Sequence, residues 1–212
     1  MKAHWRKILS FLPKATQRKY YEKFFLKEHN EWVVKRKPLP VSNFSKQDAL
    51  RIFQKKYAIE TLVETGTYLG DTLYAMAHDF VHLYSIELSE HYFKLAQRRF
   101  GKLSNVHLLQ GDSGKVLNEL VPKLKTPALF WLDGHYSGGL TAKGDLECPV
   151  YEELKAIFLS QYNHIVFIDD ARLFVGVNDY PTLENLQSFV QNIKPGYQFL
   201  VENDCIRLVP LD

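Results

Sequence analysis

The chain has 212 residues, of which 46% are hydrophobic and 24% charged, and a net charge of +3. That length suits one soluble globular domain with an extension, and no apolar run approaches the roughly 18 residues that a transmembrane helix needs. The two cysteines, Cys148 and Cys205, have no metal-ligand spacing and imply no disulfide framework, which points to thiols in a reducing cytoplasm. Charge is uneven: residues 1–40 carry eleven Lys and Arg against three Glu, a net +8, whereas the remainder is net acidic. Two parts with different jobs are expected, residues 1–44 as a basic extension and linker and 45–212 as the main domain.

The opening "MKAHWRKILSFLPKA" is basic and then briefly apolar; Ile8 to Leu12 is too short for a signal-peptide core. "QRKYYEKFFLKEHNEW" clusters Tyr20, Tyr21, Phe24 and Phe25 among lysines and predicts an amphipathic helix. Pro38 and Pro40 mark a linker. Ser45, with Asp48 three residues later, predicts an N-cap for a helix running to about Tyr57. From residue 60 apolar runs alternate with helical stretches. Strands are expected at 61–63, 83–86, 106–109, 128–132 and 165–168, with helices near 72–78, 90–100, 115–120 and 150–159. Ser89 can cap the second of these helices and Gly101 can end it. This alternation predicts an α/β fold: a doubly wound, Rossmann-like sheet, mostly parallel, with helices on both faces. After a helix over 182–193, "YQFLVENDCIRLVP" predicts a C-terminal antiparallel hairpin.

Ligands bind such sheets at the carboxyl ends of the strands. Here all five ends finish in acid: Glu64, Glu87, Asp112, Asp133 and the Asp169-Asp170 pair. Each alone can be a turn or cap residue; five along one edge suggest a site. The first end, "VETGTYLGDT", places Gly66 and Gly70 between strand and helix, so that Thr65, Thr67, Tyr68 and Thr72 line a tight turn. Its Gly-x-x-x-Gly spacing differs from a dinucleotide fingerprint. A carboxylate at Glu64 suits an amine, and the helix start by Asp71-Thr72 suits an anion, which together describe an amino-acid moiety. Glu87, followed by Leu88, lies 23 residues beyond Glu64, near the offset at which an acid holds ribose hydroxyls. Asp112, followed by Ser113, could accept from an exocyclic amine such as that of adenine. Amino acid, ribose and adenine together describe S-adenosylmethionine.

The order ETGTYLG, IEL, QGDSG, FWLDGHY, FIDDA, then helix and hairpin, resembles class I S-adenosylmethionine-dependent methyltransferases over residues 60–209. The "ETGTYLGDT" form resembles the metal-dependent O-methyltransferases, including the catechol type and the sugar O-methyltransferases of macrolide and aminocoumarin biosynthesis. That resemblance implies a divalent cation, Mg²⁺, on Asp133, Asp169 and Asp170, with Asp133 also at the cofactor. A bound cation would lower the pKa of an acceptor hydroxyl. His135, where the sugar enzymes carry a second acid, is the candidate base or a further ligand. The loop "GHYSGGLTAKGDLECP", with Gly138, Gly139 and Gly144, is the candidate lid. The implied activity is O-methylation of a small hydroxylated acceptor such as a sugar or glycoconjugate, with no nucleic acid expected. The alternatives are an RNA methyltransferase using the basic arm and a non-catalytic fold that binds a partner. For the extension, contact with an anionic membrane stands against packing over the site or in a homodimer interface.

Overall fold

The computed structural model describes residues 14–134 and 148–211. Two helices come first, α1 (Lys14–Val34) and α2 (Asn43–Lys56). The alternating part follows as β1 (Thr61–Thr65), α3 (Asp71–Met76), β2 (His82–Glu87), α4 (Glu90–Phe100), β3 (Val106–Gln110), α5 (Ser113–Leu120) and β4 (Ala128–Leu132). Beyond residue 147 come α6 (Val150–Phe158), β5 (Ile165–Ile168), α7 (Leu183–Ile193), β6 (Tyr197–Glu202) and β7 (Cys205–Pro210). The strands form one sheet in the order β3-β2-β1-β4-β5-β7-β6. β1 to β5 pair in parallel; β7 runs antiparallel to both β5 and β6. This is the doubly wound sheet with a terminal hairpin that the pattern predicts.

β1, β4 and β5 are buried along their whole length because both sheet faces are covered. One core joins Val63, Phe130, Leu132, Val166 and Ile168 to Leu117 of α5, Leu154 of α6 and Leu186 of α7. The other joins Leu62, Leu83, Leu129, Trp131 and Phe167 to Leu50 of α2, Met76 of α3 and Phe100 of α4. The chain order reverses between β1 and β4, and at such a reversal the loops above the strands diverge and leave a crevice.

Capping follows local chemistry. Ser89 Oγ accepts from Tyr92 N–H at the start of α4, and Thr182 Oγ1 accepts from Asn185 N–H at the start of α7. α2 departs from expectation. Its N-cap is Ser42, not Ser45: the extended Ser42 accepts from Ser45 N–H at 3.3 Å, so Ser45 stands inside the first turn as the capped donor.

α1 also differs from a simple amphipathic helix. Its burial rests on Tyr21 and Phe25, one turn apart, while Tyr20 is exposed. Tyr21 stacks on Tyr74 of α3 at 4.2 Å between ring centres, and the Arg99 guanidinium of α4 lies over Tyr21, Tyr74 and Phe100. Arg99 also donates to the Leu69 carbonyl in the turn after β1 and to the Tyr21 hydroxyl. The extension is thereby packed against the helices that carry the β1–α3 turn. No described helix is long and apolar enough to cross a membrane.

Candidate functional site

The turn after β1 approaches the end of β4 closely. Gly66 has φ +81°, and a Cβ there would overlap the Asp133 carbonyl. Gly70 has φ +72°, caps α3, and would drive a Cβ into the Phe100 ring. Both positions require glycine. Gly66 N–H donates to the Ile86 carbonyl and Asp133 N–H to the Thr65 carbonyl, so backbone bonds sew the three strand ends together.

The structure sorts the expected cofactor residues into two groups. Tyr68, Leu88 and Asp112 are on the rim, and Glu87, 6% exposed, is set into it. The Glu87 carboxylate accepts from Tyr68 N–H at 2.7 Å and from Ser89 N–H at 2.8 Å. Each oxygen keeps a lone pair for a ligand hydroxyl. Tyr68 and Leu88 are exposed, and the Tyr68 ring lies 4.8 Å from that of Tyr92. Asp112 is the N-cap of α5 and accepts from Gly114 N–H at 2.9 Å, with Ser113 buried beside it.

The second group lies behind the turn. Glu64 is 2% exposed and accepts from Ser85 Oγ–H; Ser85 and Thr67 share a further hydrogen bond. Burial pushes the Glu64 carboxyl up to about 8, against the lowering effect of the Ser85 and Thr72 hydroxyls. The Ser85 hydroxyl braces this carboxyl on the covered side of the turn. Thr65 points to the opposite sheet face, where its hydroxyl has no hydrogen-bond partner among the described residues.

Beside Thr65 stands a residue that reading strand ends did not reveal. Glu153 of α6 is 1% exposed, and neither carboxylate oxygen closes a hydrogen bond with another described residue. Burial raises it to about 7, while the nearby Ser113 and Thr65 hydroxyls pull it down. The helical period Val150–Leu154–Ile157, all buried, could have flagged it, since Glu153 adjoins that stripe. Its oxygens lie under Gly134, directly after Asp133.

The β4 and β5 ends bring the other three acids together. Asp169 is 2% exposed and Asp133 is partly buried. Burial and the negative charge of Asp169 raise Asp133 well above the usual carboxylate range, with Lys46 opposing. Burial also raises Asp169 to about 6. Asp170 adopts a left-handed backbone, φ +56°, a strained conformation of the kind that collects at functional sites.

The partner of this cluster comes from α2. The Lys46 ammonium is hydrogen-bonded to Asp169 Oδ2 and lies 3.5 Å from Asp170 Oδ1. Burial pulls the Lys46 pKa down, but the charges of Asp169, Asp170 and Asp133 outweigh it and hold the amine protonated. Arg172 donates to Asp170 at 2.8 Å and also to Asp204. Among the described residues, no group of three or more His, Cys, Asp and Glu is arranged to hold a metal ion. A hard divalent ion would have to take carboxylate oxygens at 2.0–2.6 Å, and the Asp169 oxygen already holds the Lys46 ammonium. The acids in this arrangement do not fit the expected Mg²⁺. Lys46 was legible only as a charged residue on the stripe formed with Leu50 and Phe53. His135 and the candidate lid with Gly138, Gly139 and Gly144 lie outside the described residues.

No protein family and no curated protein matches the chain by sequence. Solved structures do match in shape. A methyltransferase from Podospora anserina with bound S-adenosylhomocysteine superposes with a TM-score of 0.58 at 19% identity, covering 95% of this chain and 99% of that one. An O-methyltransferase from Bacillus cereus, also holding S-adenosylhomocysteine, gives a TM-score of 0.59 at 12% identity over 94% and 93% of the chains. TomG from Streptomyces achromogenes, an O-methyltransferase of tomaymycin synthesis in complex with S-adenosylmethionine, gives 0.55 at 16% identity over 89% of each chain. The chain therefore has the class I methyltransferase fold.

Proposed function

We propose that the protein is an S-adenosylmethionine-dependent methyltransferase that methylates a hydroxyl oxygen of a small acceptor. The observation that carries this reading is the turn at the switch point: Gly66 pressed against the Asp133 carbonyl, with the Glu87 carboxylate fixed on its rim by two backbone amides. Glu87 would hold the ribose hydroxyls, Asp112 and Ser113 would meet the adenine edge, and Asp133 would face the methionyl amine. The O-methyltransferases of like fold support oxygen as the acceptor atom.

In the reaction the acceptor oxygen forms a bond to the methyl carbon as the carbon–sulfur bond breaks. The sulfonium becomes a neutral thioether and the hydroxyl proton leaves, with His135 the candidate to take it. The methyl group is already activated, so the chain's contribution is alignment and proton removal. The sugar or glycoconjugate acceptor and the cytoplasmic setting belong to this reading, and they rest on sequence resemblance and thiol content. A calorimetric titration with S-adenosylhomocysteine tests it: one molecule should bind per chain, and absence of binding would overturn the reading.

A further inference from the structure

We propose that Lys46 is the resident cation of the β4–β5 acid cluster, and that the protein holds its acceptor beside this ammonium without a divalent metal. The inference rests on the methyltransferase reading for the identity of the acceptor, but its geometry stands alone. Lys46 reaches from α2 across 123 positions of sequence to Asp169, and its Nζ also lies within ion-pair range of Asp170. The Lys46 side chain is 13% exposed and that of Asp169 is 3% exposed, so water contributes little to neutralising either. α2 is held in place for this task. Phe53, two turns on from Lys46, packs its ring edge to face with Phe167 at 4.8 Å, two residues before Asp169. A helix anchored on β5 by Phe53 therefore delivers Lys46 to the end of the same strand.

The charges are shared out. Asp169 takes Lys46, Asp204 takes Arg172, and Asp170 stands between the two cations. The Asp133 side chain, unlike its N–H, closes no hydrogen bond or ion pair with another described residue, which leaves the carboxylate for a cofactor amine. An ammonium has three N–H groups, of which two are directed to carboxylates here. The third is available to an acceptor oxygen. A fixed point charge of this kind favours the developing alkoxide and orients it, as preorganised donors do elsewhere.

The test uses the whole chain and Mn²⁺ as the probe, read by the electron paramagnetic resonance signal of the free ion. The wild type and Lys46→Arg should leave Mn²⁺ free. Lys46→Gln should expose the acids and bind about one ion per chain. One Mn²⁺ bound by the wild type would overturn the proposal, and this measurement needs no variant to fold. A folded Lys46→Gln chain that binds no Mn²⁺ would also overturn it, because the acids would then be no cation site. Calorimetry with S-adenosylhomocysteine in chelator, on the same wild-type sample, reads the cofactor independently. Loss of that binding would defeat the methyltransferase reading and leave the Lys46 assignment intact.

Discussion

On the β1–β2–β3 side of the sheet edge, each acid is satisfied by amides and hydroxyls of its own or the adjoining strand end. Asp112 caps its own helix, Glu87 takes the amide two residues on, and Glu64 takes the serine of the neighbouring strand. On the β4–β5 side the acids gather and are neutralised by cations, Lys46 from the distant α2 and the nearby Arg172, which also bridges to Asp204. The first arrangement builds a rim from hydrogen bonds that cost little charge separation. The second concentrates charge in a buried place, where one missing partner leaves an uncompensated carboxylate.

That contrast predicts the largest effect for Lys46→Met. Removing one member of a buried pair costs about 3–5 kcal/mol. The loss should depend on pH. Asp169 is already raised to about 6 with Lys46 present, and without it the carboxyl rises further. Protonation then relieves the buried charge, so the destabilisation should be largest near pH 8 and shrink near pH 5. Urea unfolding at both pH values measures it. Equal stability of variant and wild type at both would erase the distinction between the two halves.

The second prediction concerns Glu153, the buried acid beneath the divide. Its folded pKa, about 7, lies above the ordinary 4.5, so the folded state holds a proton that the unfolded state releases. Its stabilising contribution is complete below 4.5 and is lost as pH rises through 7. Glu153→Gln keeps the shape without the titration. The stability difference, variant minus wild type, should climb from near zero at the acid end to roughly 3 kcal/mol above pH 8. A flat difference would mean that the carboxyl is solvated or paired.

How much of this was legible depended on distance along the chain. The strands, the terminal hairpin, Gly66 and Gly70 were readable because apolar runs and turn residues are local signals. The acids at the strand ends were readable for the same reason. Their roles were not. Glu64 reads as a strand-end acid, but its hydrogen bond from Ser85 of the neighbouring strand appears only once β1 and β2 are paired. Lys46 was hidden because its partner is far along the chain, and only the folded sheet brings α2 alongside β5. Ser42 and Ser45 compete for one cap, and two serines three apart leave the choice to backbone geometry after Pro40.

A third prediction sharpens the hydrogen-bonded half. Glu87→Ala should remove the charge-assisted bonds to a ribose and weaken S-adenosylhomocysteine binding by ~10- to 150-fold, the equivalent of roughly 1.5–3 kcal/mol. Unfolding should change less than in Lys46→Met, since Tyr68 and Ser89 N–H can turn to water. Unchanged affinity by calorimetry would move the ribose away from Glu87.

The smallest effect is expected where the extension meets the first half. The Tyr21 hydroxyl accepts from Arg99, which also donates to the Leu69 carbonyl of the β1–α3 turn. Tyr21→Phe deletes that acceptor and keeps the ring stacked on Tyr74. The Arg99 side chain is 21% exposed and has Asp71 at 3.9 Å, so water and a carboxylate can replace the lost bond. The expected change is about 0.5–1.5 kcal/mol in stability, with S-adenosylhomocysteine affinity kept within about twofold. Tyr21→Ala should do more on both counts, because it removes the ring that Arg99 lies against and frees the guanidinium to leave the Leu69 carbonyl. If both substitutions leave binding untouched, α1 is a passive cover on α3. If Tyr21→Ala alone weakens it, the aromatic helix supports the cofactor turn through Arg99, and the extension belongs to the site.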